Sequence, residues 1–336
     1  VTNLKAQIIR SFGEPSVFQL EDISKPVLKP GHVLVEVKAS SVNPIDTKVR
    51  AGAVPAVAPE FPAILHGDVA GIVCAVGEGV TKFTIGDEVY GCAGGFKGTS
   101  GGALAAFMLA DVDLLAHKPK NLTMVEAAAL PLVSITAWEA LFNRACLIAG
   151  QNILIHGATG GVGHIAIQLA KWVGAKVYTT ASTEKKLEIA MNLGADIAIN
   201  YREESVQDYV QKHTDGKGFD VVFDTVGGEN LDRSFEAAAV HGTVAAIAAR
   251  STHDLSPVHA KGLSLHVTFM LLKILNPDLH KDYGEILQRI THVVEEGKLR
   301  PLVDSTIFTF DEVSEAHQYL ESGKALGKVV LKNEWS

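Results

Sequence analysis

Seven consecutive residues carry the clearest chemical signal in this chain: Gly157, Ala158, Thr159, Gly160, Gly161, Val162 and Gly163. They follow the apolar run NILIH (152–156) and precede Ile165, Leu169, Trp172 and Val173, which share one face of a helix. A turn of residues lacking Cβ, set between a strand and a helix, lets backbone N–H groups approach a pyrophosphate. The helix N-terminus then adds its partial positive charge. Gly157, Gly160, Gly161 and Gly163 suit that task, and Gly163 also lets strand and helix pack closely. The chemistry expected of this turn is dinucleotide binding, with all seven residues as cofactor contacts. Which dinucleotide depends on the tip of the second strand, where an NAD site places an acid against both ribose hydroxyls. That place falls near Ala181, and Ser182, Thr183, Glu184, Lys185 and Lys186 follow. No acid stands at the tip, while hydroxyls and lysines suited to a 2′-phosphate come at once. The expectation is NADPH rather than NADH, with Ser182 and Lys186 as contacts and Tyr201, ending the third strand, near the adenosine phosphate. Asp224, Thr225 and Val226 end the fourth strand and Ala246, Ile247 and Ala248 the fifth, where doubly wound sheets bind their ligands. Backbone contact with ribose and nicotinamide is the role expected there.

The elements that must hold these residues form two textures. Up to about residue 125 short strands alternate with Gly and Pro: VLVEVKASSV (33–42), AGIVCAVG (70–77) and DEVYG (87–91). That spacing predicts a β-rich domain of barrel or sandwich type. The segment GCAGGFKGTSGGA (91–103) is too rich in Gly for regular structure. From about residue 126 strand and helix alternate, through KVYTTA (176–181), a helix at 184–194, IAINY (197–201), FDVVFDTVGG (219–228) and GTVAAIA (242–248). Such β-α units predict a parallel sheet covered by helices on both faces. The fold class expected is therefore α/β, a β-rich domain joined to a doubly wound parallel-sheet domain. The domains expected are 1–125, 126–263 for the dinucleotide-binding unit, and 264–336, where the pattern loosens. The apolar segment 262–275 reads equally as a buried helix or as a lining of the substrate pocket and subunit contact.

Composition narrows the field. With 336 residues, 47% hydrophobic and 20% charged, the chain is long and apolar enough for two folded domains. A formal charge of −8, with no basic run, gives no footprint for nucleic acid or an anionic membrane. Cys74, Cys92 and Cys146 are far apart and form no C-x-x-C pair, which argues against a disulfide framework or a local zinc motif. The first fifteen residues contain no apolar signal core, and a cytoplasmic location is the expectation.

Several longer segments stand in order: SVNPIDTKVRAG (41–52), LHGDVAGIVCAVGEGVTKFTIGDEVYG (65–91), EAAALPLVSITAWEAL (126–141), ILIHGATGGVGHIAIQLAK (153–171), FDTVGG (223–228) and GKLRPLVD (297–304). Over nearly its full length the chain resembles the quinone oxidoreductase branch of the medium-chain dehydrogenase/reductase superfamily. The resemblance implies a GroES-like catalytic domain built from both chain ends around an inserted Rossmann domain, a cofactor cleft between domains, and a homodimer. Zinc-containing alcohol dehydrogenases of that superfamily hold their catalytic metal with Cys, His and Cys. This chain has Asn43, Gly67 and Leu132 at the corresponding positions, with His66 one place off, and lacks the block of structural cysteines. Three or four converging ligands are what zinc requires, so the protein reads as metal-free.

The same resemblance places Asn43 beside nicotinamide and substrate, as an amide donor to the acceptor oxygen, and Thr136 on the nicotinamide carboxamide. Asp46 is expected to hold the local turn. Lys48 is a candidate for an anionic substrate or a quinone oxygen, and His66 for protonating the reduced oxygen if it faces the cleft. The activity expected is hydride transfer from NADPH to a quinone or an activated enone. An alkenal or enoyl-thioester reductase is the neighbouring alternative, although AGAVPAV (51–57) contains no Tyr of the kind those thioester reductases use as proton donor. A module that binds NADPH without turnover is the alternative outside catalysis.

Overall fold

The computed structural model describes residues 3–335. The chain divides into two compact units, one comprising residues up to Ile135, Met270–Gly297 and the chain from Pro301 onward, the other Thr136–Phe269 with Lys298–Arg300.

The first unit is built on an antiparallel sheet whose organising strand is His32–Val42. Its first half pairs with Phe107–Asp111 and its second half with Val329–Lys332, so that Val42 lies opposite Val329. Asp68–Val76 pairs along the other edge, with register irregularities between Leu34 and Val35 and between Val37 and Ala39. Such bulges let a long strand bend and change partners along its length. Glu88–Cys92 and Leu115–His117 continue the sheet outward, and Phe308–Thr309 pairs parallel to the C-terminal strand. Val33, Val35 and Val37 are buried with Val69 and Val73 of the neighbouring strand. The glycine-rich segment after Cys92 is irregular, as its composition predicts, and packs Ala93 and Phe96 into the interior.

The second unit is a six-stranded sheet, parallel throughout, in the order Ile197–Asn200, Lys176–Ala181, Asn152–His156, Phe219–Asp224, Ala238–Ala246, Ser264–Val267. Helices Gly161–Trp172, Glu184–Asn192, Val206–Thr214 and Glu229–Ala237 connect successive strands. Thr183 and Ser205 begin two of them, each accepting a backbone N–H with its hydroxyl oxygen. Leu154, Tyr178, Phe219, Val222, Phe235 and Val244 close into one buried cluster. The sheet order is that of a dinucleotide-binding doubly wound fold, with the order reversing beside Asn152–His156.

One expectation needs correction. The segment 262–275 is no continuous helix: Ser264–Val267 is the edge strand of the parallel sheet and Leu271–Ile274 is one short turn. An apolar run cannot by itself separate strand from helix, and pairing with Ala238–Ala246 decides it here. The second unit, with that strand at its edge, spans Thr136–Phe269 and Lys298–Arg300.

Candidate active site

The glycine turn has the shape that its sequence predicts. Gly157 has φ +81, and a Cβ on Gly163 would lie 1.9 Å from the Gly157 carbonyl oxygen. A side chain at 163 would therefore push the turn away from the helix. Gly160 stands at the N-cap of the 12-residue helix Gly161–Trp172 without a capping side chain, leaving first-turn N–H groups for a ligand. The turn thus fits a dinucleotide pyrophosphate by its own geometry. Thr225 braces it from the next strand, donating its hydroxyl to the His156 carbonyl at 2.6 Å.

Ala181 ends its strand buried, and Ser182 follows before Thr183 caps the helix. Tyr201 is half exposed, and its backbone N–H donates to Ala181 at 3.2 Å. Ser182, Lys186 and Tyr201 therefore gather at the carboxyl edge of two adjacent strands, with Lys186 on the first turn of the helix. Asp224 is wholly buried and plays a part that the sequence did not suggest. One carboxylate oxygen accepts the N–H groups of Val226 and Gly227, at 2.8 and 2.7 Å. The other accepts from Asn230 and Ser234, at 2.9 and 2.8 Å. It fixes the turn bearing Thr225 and Val226. Ala246, Ile247 and Ala248 stand at the end of the neighbouring strand, with the Ile247 N–H donating to the Asp224 backbone carbonyl at 3.2 Å.

In the first unit, SVNPID delivers Asn43 to the start of the helix Pro44–Ala51, where the Asp46 carboxylate accepts the Asn43 N–H at 2.7 Å. Asn43 and Asp46 are both buried. The Asn43 carboxamide is oriented by chemistry. Lys328 can only donate and bonds its oxygen, while Asp68 can only accept and takes an Nδ2 hydrogen at 2.8 Å. Asp68 also accepts from Ser41 at 2.8 Å and from the Leu132 N–H at 2.9 Å, and its carboxylate lies 3.6 Å from the Lys328 ammonium. Burial, reinforced by the negative charge of Asp68, raises the Asp46 carboxyl to about 7. Burial also lowers the Lys328 ammonium, opposed by the two carboxylates beside it.

A second buried chain of hydrogen bonds starts at Arg50, which pairs with Glu321 at 2.8 Å. Arg50 donates to His317 Nδ1 at 3.2 Å, so the His317 proton sits on Nε2, which faces His66 Nε2 at 2.9 Å. His66 is then protonated on Nδ1, toward the Ser40 hydroxyl at 3.1 Å, and Ser40 donates to the Asp68 carbonyl at 2.7 Å. Burial holds His66 down to about 3 and His317 well below the usual imidazole range. His66 is therefore a neutral, buried link rather than a group facing solvent.

The remaining candidates are spread out. Lys48 is exposed on the Pro44–Ala51 helix, and Thr136 is buried within the helix Pro131–Trp138. Sequence reasoning passed over Lys328, Ser41, Arg50, His317 and Glu321. A lone lysine opening the apolar strand KVVL was the one available signal. Among the described residues no group of three or more His, Cys, Asp or Glu side chains is placed to hold a metal ion. A Cβ at Gly67 would meet Cys92 Sγ and Phe96 at 2.8 Å, so no ligand-bearing side chain fits there.

Comparison with known proteins agrees with this architecture. Residues 29–120 match the alcohol dehydrogenase GroES-like domain, and residues 193–331 match a family described as zinc-binding dehydrogenase. The chain is 37% identical to the chloroplastic NADPH-dependent alkenal/one oxidoreductase of Arabidopsis thaliana, over 98% of this chain and 79% of that protein. It is 31% identical to the quinone oxidoreductase of Homo sapiens, over 98% of this chain and 97% of that one. The crystal structure of an alcohol dehydrogenase superfamily protein from Novosphingobium aromaticivorans superposes with a TM-score of 0.93 at 39% identity, covering 98% and 99% of the two chains. The chain belongs to the medium-chain dehydrogenase/reductase superfamily, in its quinone oxidoreductase branch.

Proposed function

We propose that this protein is an NADPH-dependent reductase that works without a metal and passes hydride to a quinone or to an enone. The observation that carries the proposal is the glycine turn, where a Cβ at Gly163 would lie 1.9 Å from the Gly157 carbonyl oxygen, followed by a second strand that ends without an acid. The acceptor class is supported by the names of the two relatives, one a quinone and one an alkenal/one oxidoreductase. NADPH supplies the hydride when bound, and the residues of this chain bind, orient and polarise.

The turn from Gly157 to Gly163 would hold the pyrophosphate, and Ser182, Lys186 and Tyr201 would surround the 2′-phosphate. Asp224 keeps Thr225 and Val226 in place for backbone contact with the ribose. Thr136 is assigned to the nicotinamide amide and Lys48 to the acceptor. Asn43 is assigned the acceptor oxygen. Nδ2 has two hydrogens, and one of them is committed to Asp68. Because Asn43 is buried, the other reaches an oxygen only when bound reactants replace the groups now covering it. Asp46 and His66 are assigned to holding this arrangement. The protein is proposed to act as a cytoplasmic homodimer.

The deciding experiment is acceptor-dependent NADPH oxidation, with a quinone and a simple enone run in parallel in the presence of a chelator. Oxidation that survives chelation is expected, and the ratio of the two rates selects the acceptor class. Loss of activity with chelator, restored by zinc, overturns the metal-independent reading. NADPH binding without oxidation of either acceptor favours a binding module.

A further inference from the structure

The loop following the Ala238–Ala246 strand carries a second arrangement of reactive groups, a few residues beyond Ala248. Asp232, on the helix Glu229–Ala237, lies 2.9 Å from His253 Nδ1. A carboxylate there places the ring proton on Nδ1 and leaves Nε2 as a base. Ser251 Oγ stands 2.5 Å from that Nε2 and donates to it. Nucleophile, base and orienting acid are thus joined by two consecutive hydrogen bonds, the geometry by which a hydroxyl is activated for attack.

The surroundings suit the roles. Phe235, on the same face of the helix as Asp232, meets the His253 ring edge-on at 6.2 Å. The His253 side chain is only 8% exposed, whereas Ser251 is open to solvent. The base is shielded and the hydroxyl reachable. Beyond it Asp254 accepts both the N–H and the hydroxyl of Ser256, at 2.9 and 2.6 Å, which fixes the chain on the far side of His253.

We propose that Ser251 is an activated nucleophile that takes the acyl group of small activated carboxylic esters. Its Oγ bonds to the ester carbonyl carbon while its proton passes to His253 Nε2. The bond to the leaving oxygen breaks, and His253 returns the proton to the departing alcohol. Water repeats the sequence, with His253 as base, releasing the carboxylic acid and restoring Ser251. Asp232 is a positioning residue that holds the tautomer.

The test is p-nitrophenyl acetate hydrolysis by the full chain, with the acetylated residue mapped by mass spectrometry. An adduct on Ser251 is expected, absent in S251A with an unchanged melting curve. H253Q is expected to slow formation of that adduct about a hundredfold, the usual scale for general-base assistance. D232N is expected to slow it as well, and D232E to recover most of the rate. Label found only on Cys146 or on lysines overturns the proposal, as does equal labelling of Ser251 in the parent and H253Q.

Discussion

Asn43 owes its orientation to partners of opposite hydrogen-bonding character: Lys328 addresses its oxygen and Asp68 its nitrogen. Asn43→Ala therefore separates two roles. If Asn43 polarises the acceptor, the rate of hydride transfer falls about a hundredfold or more while NADPH affinity, read by fluorescence titration, stays constant. A loss of melting temperature with an unchanged rate makes it only a bridge between buried charges. His66 allows a prediction about acid. Its folded pKa, about 3, lies below the 6.5 of an ordinary imidazole because burial favours the neutral ring. A group whose folded pKa is depressed in this way contributes stability above 6.5 that is lost as pH falls toward 3. The Asp46 carboxyl, raised to about 7, acts in the opposite direction, favouring the fold as pH falls through that value. Comparing parent with His66→Asn cancels the Asp46 contribution. Urea titrations should show the stability advantage of the parent shrinking from pH 7.5 to pH 4.5. An advantage independent of pH would mean that His66 is not held neutral.

At the scale of elements, the glycine turn is where backbone replaces side chain. A Cβ at Gly163 would fall 1.9 Å from a carbonyl oxygen, closer than any packing tolerates, and the listener on the other side is backbone that cannot swing aside. Gly163→Val is expected to separate helix from strand, lowering NADPH affinity by tenfold or more and destabilising the second unit. Isothermal titration and thermal melting check the two effects, and unchanged affinity would show that the turn is not the pyrophosphate cradle. The sequence made this element legible because the strand, the glycines and the helix are contiguous, so their spacing reports their geometry directly. The segment 262–275 was not legible, because an apolar run satisfies a strand or a helix equally until Ser264–Val267 finds its parallel neighbour.

At the scale of the whole molecule, the first unit is assembled from three separate stretches of chain, with most of the second unit between the first two of them in sequence. Its C-terminal strand Val329–Lys332 pairs with His32–Val42, and Lys328, just before that strand, supplies the cation of the buried cluster. Ending the chain at Gly327 would remove both, opening a sheet edge and leaving the Asp68 carboxylate buried without its counter-charge. Stranding one partner of a buried pair costs about 3–5 kcal/mol. The truncated protein is expected to lose cooperative unfolding of the first unit, followed by hydrogen exchange along His32–Val42. Protection equal to that of the parent would show the C-terminal strand to be dispensable.

The sequence alone determined the α/β architecture, the family and the strand–glycine–helix turn: the turn and each β-α unit are written in neighbouring residues, and the family in six segments spread along the chain. Only the tertiary structure decided what surrounds Asn43. Lys328 lies 285 positions from Asn43 in sequence, and His317 lies 251 from His66. Periodicity and spacing carry information over a helix or a strand, whereas a buried charge finds its partner through sheet register and chain closure. The polar cluster and its perturbed ionisations are properties of that closure, where exclusion of water makes each pairing count.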